Sequence, residues 1–552
     1  MISRRLATFT KVGAVTLLLG ALSFSSTASA VPSAVALSLP EKVQRMLSQG
    51  ALARWYAQHP EQVSAGMRAR PDWIAALGAR VNAVPRALAP GDFPMRRALF
   101  NRDDLGLPQN EESVDRCSSN GNLVLAGTND YRGLLNPLGN FTGWHFSDNG
   151  ATLTREGLLP AVTFADGVAV PSSGDPVVAF DAACNAYMAT LNLVFVDGVP
   201  THSGIGVYRT TAGTLGSCPG GDDPTCWPTR TLADQVISPD PAHFHLLDKP
   251  WMAVGHSAGQ TVIWVTYTDF AVDFPNVTTT IKAVRCEANL TSCGKPINLS
   301  AGGSDVQFSD VTVGPDGRTY VTWVEDRITP NDGETFVIKL RVAEAGSSEF
   351  SPEGVVTTEL EPIGFGGVLH ANDFRVATYP KHDVKIVNGI PRIFVIWESC
   401  QSRPLNVICE FSRMRMTFSD SFGAGWSNPT TLSAGGDNYF GTLSANPGGA
   451  NLAVAYWTSR FDPVFGNRQD LELVTVGPQG TVVNRQRLTT PSNEPEADPF
   501  LRGFFIGDYI EVTARADNAL VAFNANYRKQ ALGLDASLPT AQQDNYLAQA
   551  PL

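Results

Sequence analysis

The sequence predicts an all-β chain built as a β-propeller of seven blades, with six as the alternative count, and a small helical region ahead of it. Three observations lead there. First, a short apolar strand with an aromatic residue and a polar or charged tip recurs: LVLAGTNDYR to Arg132, VIWVTYTDF to Phe270, TYVTWVEDR to Arg327, IFVIWES to Ser399, LAVAYWTSR to Arg460 and LVAFNANYR to Arg528. Second, the aromatic positions Trp264, Trp323, Trp397, Trp457 and Phe523 lie 59, 74, 60 and 66 residues apart, the length of one four-stranded unit with variable loops. Third, 50 glycines and 37 prolines supply many turns, of which the Pro-Asp-Gly at 315–317 joins two alternating strands as a hairpin. A four-stranded unit cannot bury both of its faces alone, and radial stacking buries them while leaving only short edges.

The length of 552 residues and 43% hydrophobic content suffice for a large core, and 17% charged residues are too few for a coiled coil or a charged disordered chain. Residues 1–30 read as a signal peptide: Arg4, Arg5 and Lys11, an apolar stretch Val12–Phe24, and Ala28-Ser29-Ala30 as the cleavage site. Cleavage there removes three positive charges and no acid, so a net charge of −12 becomes −15. An acidic, exported chain follows, secreted or periplasmic, with no membrane span. Such a charge argues against nucleic acid as a partner. The eight cysteines agree with export. Six form close pairs, Cys218/Cys226, Cys286/Cys293 and Cys400/Cys409, and Cys117 and Cys184 remain as a longer-range pair.

In chain order, residues 31–38 read as a linker and 39–88 as two or three helices punctuated by Pro60, Pro71 and Pro85. Residues 89–112 read as an irregular connector. The propeller is expected over 113–552, in units of about 113–161, 175–234, 248–300, 305–360, 372–433, 438–490 and 504–550. The last unit is one strand short, and residues before Ser113 are placed to supply it, as propellers close by borrowing a strand from the other end of the chain.

Phe146–Leu153, FSDNGATL, carries an Asp-x-Gly-x-Thr turn in which the carboxylate is expected to accept backbone N–H groups and the glycine to supply a left-handed bend. FSDSFGAGW, ending at Trp426, is a looser copy. With DKPWMAV (Asp248–Val254), GDYIEV (Gly507–Val512) and LPQNEESV (Leu107–Val114), these turns resemble the bacterial sialidase-like propeller proteins with BNR or Asp-box repeats. The resemblance spans about residues 100–550. It implies a sialidase-like propeller with Asp148 as a turn residue away from the active face. It also implies an Arg-Ile-Pro motif near the start of the propeller, and this chain has none.

In a propeller, the ends of the second strands and the starts of the innermost strands share one face. That face should gather Asp130, Glu325, Asp326, Glu398 and Asp508 as candidate acids and bases, and Arg132, Arg327, Arg460, Tyr509, Tyr527 and Arg528 as candidate substrate contacts. His243, His245, Lys249, Arg375 and Arg403 fall on the same face. Carboxylates flanked by arginines suit a glycan, so the expectation is a glycoside hydrolase of an anionic or complex carbohydrate, acting as a monomer on a glycan or extracellular polymer. The alternative is a non-catalytic propeller that binds carbohydrate or protein. No motif requires a cofactor. Ca²⁺ suits an exported acidic propeller, with no ligands fixed by the sequence. The tryptophans of the repeat are expected in the core between blades.

Overall fold

Apolar alternation fixes which face of each strand is buried, and the glycine- and proline-rich tips reverse the chain, so each unit becomes an antiparallel sheet. The computed structural model describes residues 97–552, apart from 104, 137, 197, 239, 241, 303–304, 330–332, 403–407, 446–447, 499, 502 and 532–538. The expected signal peptide, the expected helices at 39–88 and Arg403 lie outside the described residues.

Seven sheets form the blades of the propeller. Their innermost strands are Gln109–Arg116, Val177–Phe180, His243–Ser257, Asp305–Val313, Lys381–Val387, Asn438–Ala445 and Glu511–Ala514. Seven, not six, is therefore the blade count. Blade 7 closes as the sequence led us to expect. Its inner strand, Asn518–Ala525 and Asp544–Pro551 are followed outward by Arg97–Leu99, with Arg97 opposite Ala548. The connector of 89–112 is less irregular than expected, because it holds this closing strand and the first residues of blade 1's inner strand, which begins at Gln109. Blade 5 carries two additional short strands, Gly367–Leu369 and Arg375–Val376, inserted ahead of its inner strand.

The repeat tryptophans sit where blades meet. Trp264, Trp323, Trp397 and Trp457 are each at most 1% exposed. One apolar cluster runs from Val177 through Trp264 to Trp323, and another joins Trp457 to Phe523 across blades 6 and 7. The Phe146–Leu153 turn joins the third and fourth strands of blade 1 (Thr142–Ser147 and Arg155–Leu158). Its glycine, Gly150, has φ +71°, as expected. The acceptors differ from expectation. Asn149 Oδ1 and Ser147 Oγ take the turn's N–H groups, while Asp148 accepts the Thr154 hydroxyl at 2.8 Å.

Inner strands have no hydrogen-bonding neighbour on the channel side, so their N–H groups need other acceptors. The preceding blade supplies them at every junction. Ser113 and Asp115 accept from Val178 and Phe180, Ser203 from Leu247, Thr279 from Val306 and Asp310 from His382. Asp383 accepts from Ala445, Ser444 from Ala514, and Glu511 from Val114, which completes the circle.

All four expected disulfides are present, Cys117–Cys184, Cys218–Cys226, Cys286–Cys293 and Cys400–Cys409. They are compatible with an extracellular or periplasmic protein. No helix among the described residues is long and apolar enough to cross a membrane. Cys117–Cys184 ties blade 1 to blade 2 across 67 residues, whereas Cys286–Cys293 closes a loop of 7. On chain-entropy grounds, removing the first should cost about 4 kcal/mol and removing the second about 2. Denaturant unfolding of the Cys117→Ala/Cys184→Ala and Cys286→Ala/Cys293→Ala proteins should show the larger loss for the first pair.

Candidate functional site

Five residues other than glycine adopt left-handed backbone within or just ahead of inner strands: Glu111 (φ 61°), Asp175 (55°), Lys249 (54°), Phe308 (53°) and Phe440 (52°). Gly507, with φ +96°, sits in the same place ahead of blade 7. At Glu111, Lys249, Phe308 and Phe440 the ladder to the second strand shifts register, so each is a bulge. Such backbone is costly for side chains with a Cβ, and its repetition around one ring marks a place where the fold re-aims side chains. Gly507 is constrained by its neighbour as well, since a Cβ there would come within 2.9 Å of the Glu111 nitrogen.

Two adjoining cavities of about 10 and 30 Å³ open among these residues. Each has room for one or two waters, not a sugar ring. Lys249, Phe308, Tyr379 and Asp508 line both; Arg375 and Phe440 line one, and Asp175, Trp251, Lys381 and Tyr509 line the other. Trp251 stands edge-on to Tyr509 at 5.4 Å, and Phe308 stacks on Tyr379 at 4.9 Å. Lys381 Nζ lies 2.7 Å from the centre of the Trp251 ring.

Charge is divided unevenly here. Asp508 receives the Arg375 guanidinium on both oxygens, with Nε–Oδ1 at 2.7 Å, and Lys249 Nζ at 3.2 Å. Burial works to raise Asp508, but the two cations outweigh it and hold the carboxyl below its ordinary value. Asp175 behaves oppositely. Burial, then the charges of Glu111 and Asp248, push it well above the usual carboxylate range. Glu111, raised to about 7 by burial and by Asp508, hydrogen-bonds Asp175 side chain to side chain. One cavity thus has in its wall one carboxyl group held below the usual carboxylate range and one pushed well above it. Lys381 is lowered to about 8 by burial, against Asp310, Glu511 and Glu398.

The face residues expected from the sequence divide into two groups. Asp508 and Tyr509 meet at the cavity, together with Lys249 and Arg375. The others are held within or between blades. Arg132 pairs with Asp130 at 2.5 Å and Glu156 at 2.9 Å, Arg327 with Glu325 at 2.7 Å, Arg460 with Glu472 at 2.8 Å and Arg528 with Asp544 at 2.8 Å. Glu398 is buried and accepts the N–H groups of Tyr379 and Gly441. Asp326 lies opposite Asp305 and Phe336 in blade 4, and the Tyr527 ring meets Tyr546 at 5.3 Å. His243 pairs with Asp240 and Asp273, and His245 with Asp269. Among the described residues no group of three or more His, Cys, Asp or Glu is arranged to hold a metal ion.

The sequence reading did not single out Glu111, Asp175, Trp251, Phe308 or Lys381. The signal was available in part: QNEESV, SGDPVV and LDKPWM carry the left-handed residue third and QFSDVT carries it second, each within or just ahead of an inner strand.

These sheets and this central cluster define a seven-bladed β-propeller with a channel-mouth site. Solved structures of similar chain path include the endosialidase of phage phi92, 10% identical over 85% of this chain and 71% of that one, with a TM-score of 0.44. They also include the polysaccharide lyase Uly1, 9% identical over 86% and 95%, TM-score 0.43, and the intramolecular trans-sialidase of Ruminococcus gnavus, 10% identical over 82% and 98%, TM-score 0.36. No protein-family model matches the sequence, and no curated protein matches it. Likenesses this distant do not bear on substrate.

The buried acids set a pH dependence. Glu398 and Glu511 are each raised by burial from 4.5 to about 7. The native protein therefore keeps their protons while the unfolded chain loses them. That contribution is fully present below pH 4.5 and is lost as pH rises to about 7. Asp310 and Asp508 are held below 3.8, and their contribution is lost as pH falls below that value. Thermal unfolding should show its highest Tm between about pH 4 and 5 and a steady fall toward pH 7.

Proposed function

We propose that the channel mouth is the active site of a glycoside hydrolase acting on a neutral glycan. The observation that supports this most is the pair of carboxyl groups on one water-sized cavity, Asp508 clamped by Lys249 and Arg375 and Asp175 buried beside Glu111 and Asp248, which drives their acidities apart. Separated acidities of this kind are what acid and base roles require. In this reading a water in the cavity gives a proton to Asp508 as its oxygen bonds to the anomeric carbon. Asp175 delivers its proton to the departing glycosidic oxygen as that bond breaks. The sugar itself lies over the mouth.

The charges favour a neutral chain over an anionic one. Arg132, Arg327, Arg460 and Arg528 are each paired with a carboxylate of the propeller. At the cavity Lys249 and Arg375 both face Asp508. Glu111 and Asp248 add further negative charge there, so a substrate carboxylate would meet repulsion.

The secreted protein should therefore cleave a member of a panel of neutral glycans and leave sialosides and uronate-containing glycans intact. Asp175→Asn and Asp508→Asn should each lower kcat by about 10²–10⁴ while the glycan still binds. Binding without turnover in the wild-type protein would instead identify a binding propeller, the reading that the small cavity volume favours. Cleavage of anionic glycans alone would contradict the charge argument.

A further inference from the structure

Asn129 lies in the second strand of blade 1, Val124–Asp130, and is fully buried. It touches both residues of the carboxyl pair. Its Nδ2 donates to Glu111 Oε2 at 2.6 Å and to Asn110 Oδ1 at 3.2 Å, while its Oδ1 accepts the Asp175 backbone N–H at 2.8 Å. Glu111 Oε1 and Asp175 Oδ1 are buried, and neither has an N–H or O–H donor among the described protein groups. Two carboxyl groups that meet in this way need one proton between them, and the placement of that proton decides which group can act as an acid.

We propose that Asn129 is a positioning residue that keeps Glu111 ionised and so places the shared proton on Asp175, the group that lines the cavity. An amide N–H binds a carboxylate oxygen more strongly than the carbonyl oxygen of a protonated carboxyl group, so the donor to Glu111 Oε2 favours Glu111 as the charged partner. The ionised Glu111 then accepts the Asp175 hydroxyl. By also holding the Asp175 main chain, Asn129 fixes the left-handed residue against its partner. Other groups act on the pair from every side. Asp248 and Lys249 approach from blade 3, and Arg375 and Asp508 act on Glu111 from the loops ahead of blades 5 and 7. The Tyr509 hydroxyl is turned away to donate to the Pro176 carbonyl at 2.9 Å. Of these groups only Asn129 donates to one carboxyl group and binds the main chain of the other.

The proposal rests on Asp175 as the acid of the site, and its test needs no substrate. Infrared pH titration of the intact protein would follow the carbonyl band of the protonated carboxyl group that is lost in Asp175→Asn. In Asn129→Ala the proton should move to Glu111, and the Asp175 band should titrate at least one pH unit lower than in wild type. A purely structural role would lower Tm and leave that midpoint in place. Glu111→Gln, which removes the charge and keeps the shape, should lower the midpoint by at least as much and serves if Asn129→Ala does not fold. An unmoved midpoint in the folded variants, or no band lost in Asp175→Asn at pH 6, would overturn the proposal. A protein that titrates as stated but cleaves no glycan would sink the hydrolase reading and leave the proton placement standing.

Discussion

The inner edge of each blade governs the rest of the molecule. An innermost strand in a narrow channel has N–H groups that neither another strand nor bulk water reaches. A side-chain oxygen of the blade before it takes that place at all seven junctions, from Ser113 and Asp115 through Glu511 back to Val114. An unmade buried hydrogen bond costs about 1–3 kcal/mol, so each of these contacts matters most when it is removed. They explain why an all-β core holds so many buried acids. Asp115, Asp383 and Glu511 sit in low dielectric because backbone donors are there to meet them, and burial still raises all three carboxyl groups.

The same constraint shapes the site. Above the latches, the inner strands bulge and pass through left-handed residues, so that Glu111, Asp175, Lys249 and Phe308 converge instead of alternating away. Convergence puts acids close to one another, and Lys249 and Arg375 both turn to Asp508. Asp508 takes both cations and is held below its ordinary value; Asp175, buried beside Glu111 and Asp248, is pushed above it. The difference between two aspartates on one cavity thus comes from which neighbours the bulges bring to each.

The repeat was legible because core packing writes itself into sequence at a regular interval. Trp264, Trp323, Trp397 and Trp457 mark blade junctions, and the missing strand of blade 7 foretold Arg97–Leu99. The face was legible to a lesser depth. Strand-end residues such as Arg132, Arg327, Arg460 and Arg528 look like ligand contacts in sequence, yet each has a carboxylate partner, two residues earlier for Arg132 and Arg327 and on the adjacent strand for Arg460 and Arg528. Glu472 and Asp544, for example, lie 12 and 16 residues beyond the arginines they hold. Glu111 and Asp175 were hidden for a different reason. A left-handed glutamate has no propensity signature, and the contact of Glu111 with Asp175 spans 64 residues and two blades.

The most direct measurement of the central claim is the dependence of Asp175→Asn on the leaving group. If Asp175 protonates the departing oxygen, a substrate with an acidic phenol as leaving group should retain most of its turnover in the variant. The same glycosyl unit attached to another sugar should lose turnover by about 10² or more. Equal losses on both substrates would contradict the assignment of Asp175 as the acid.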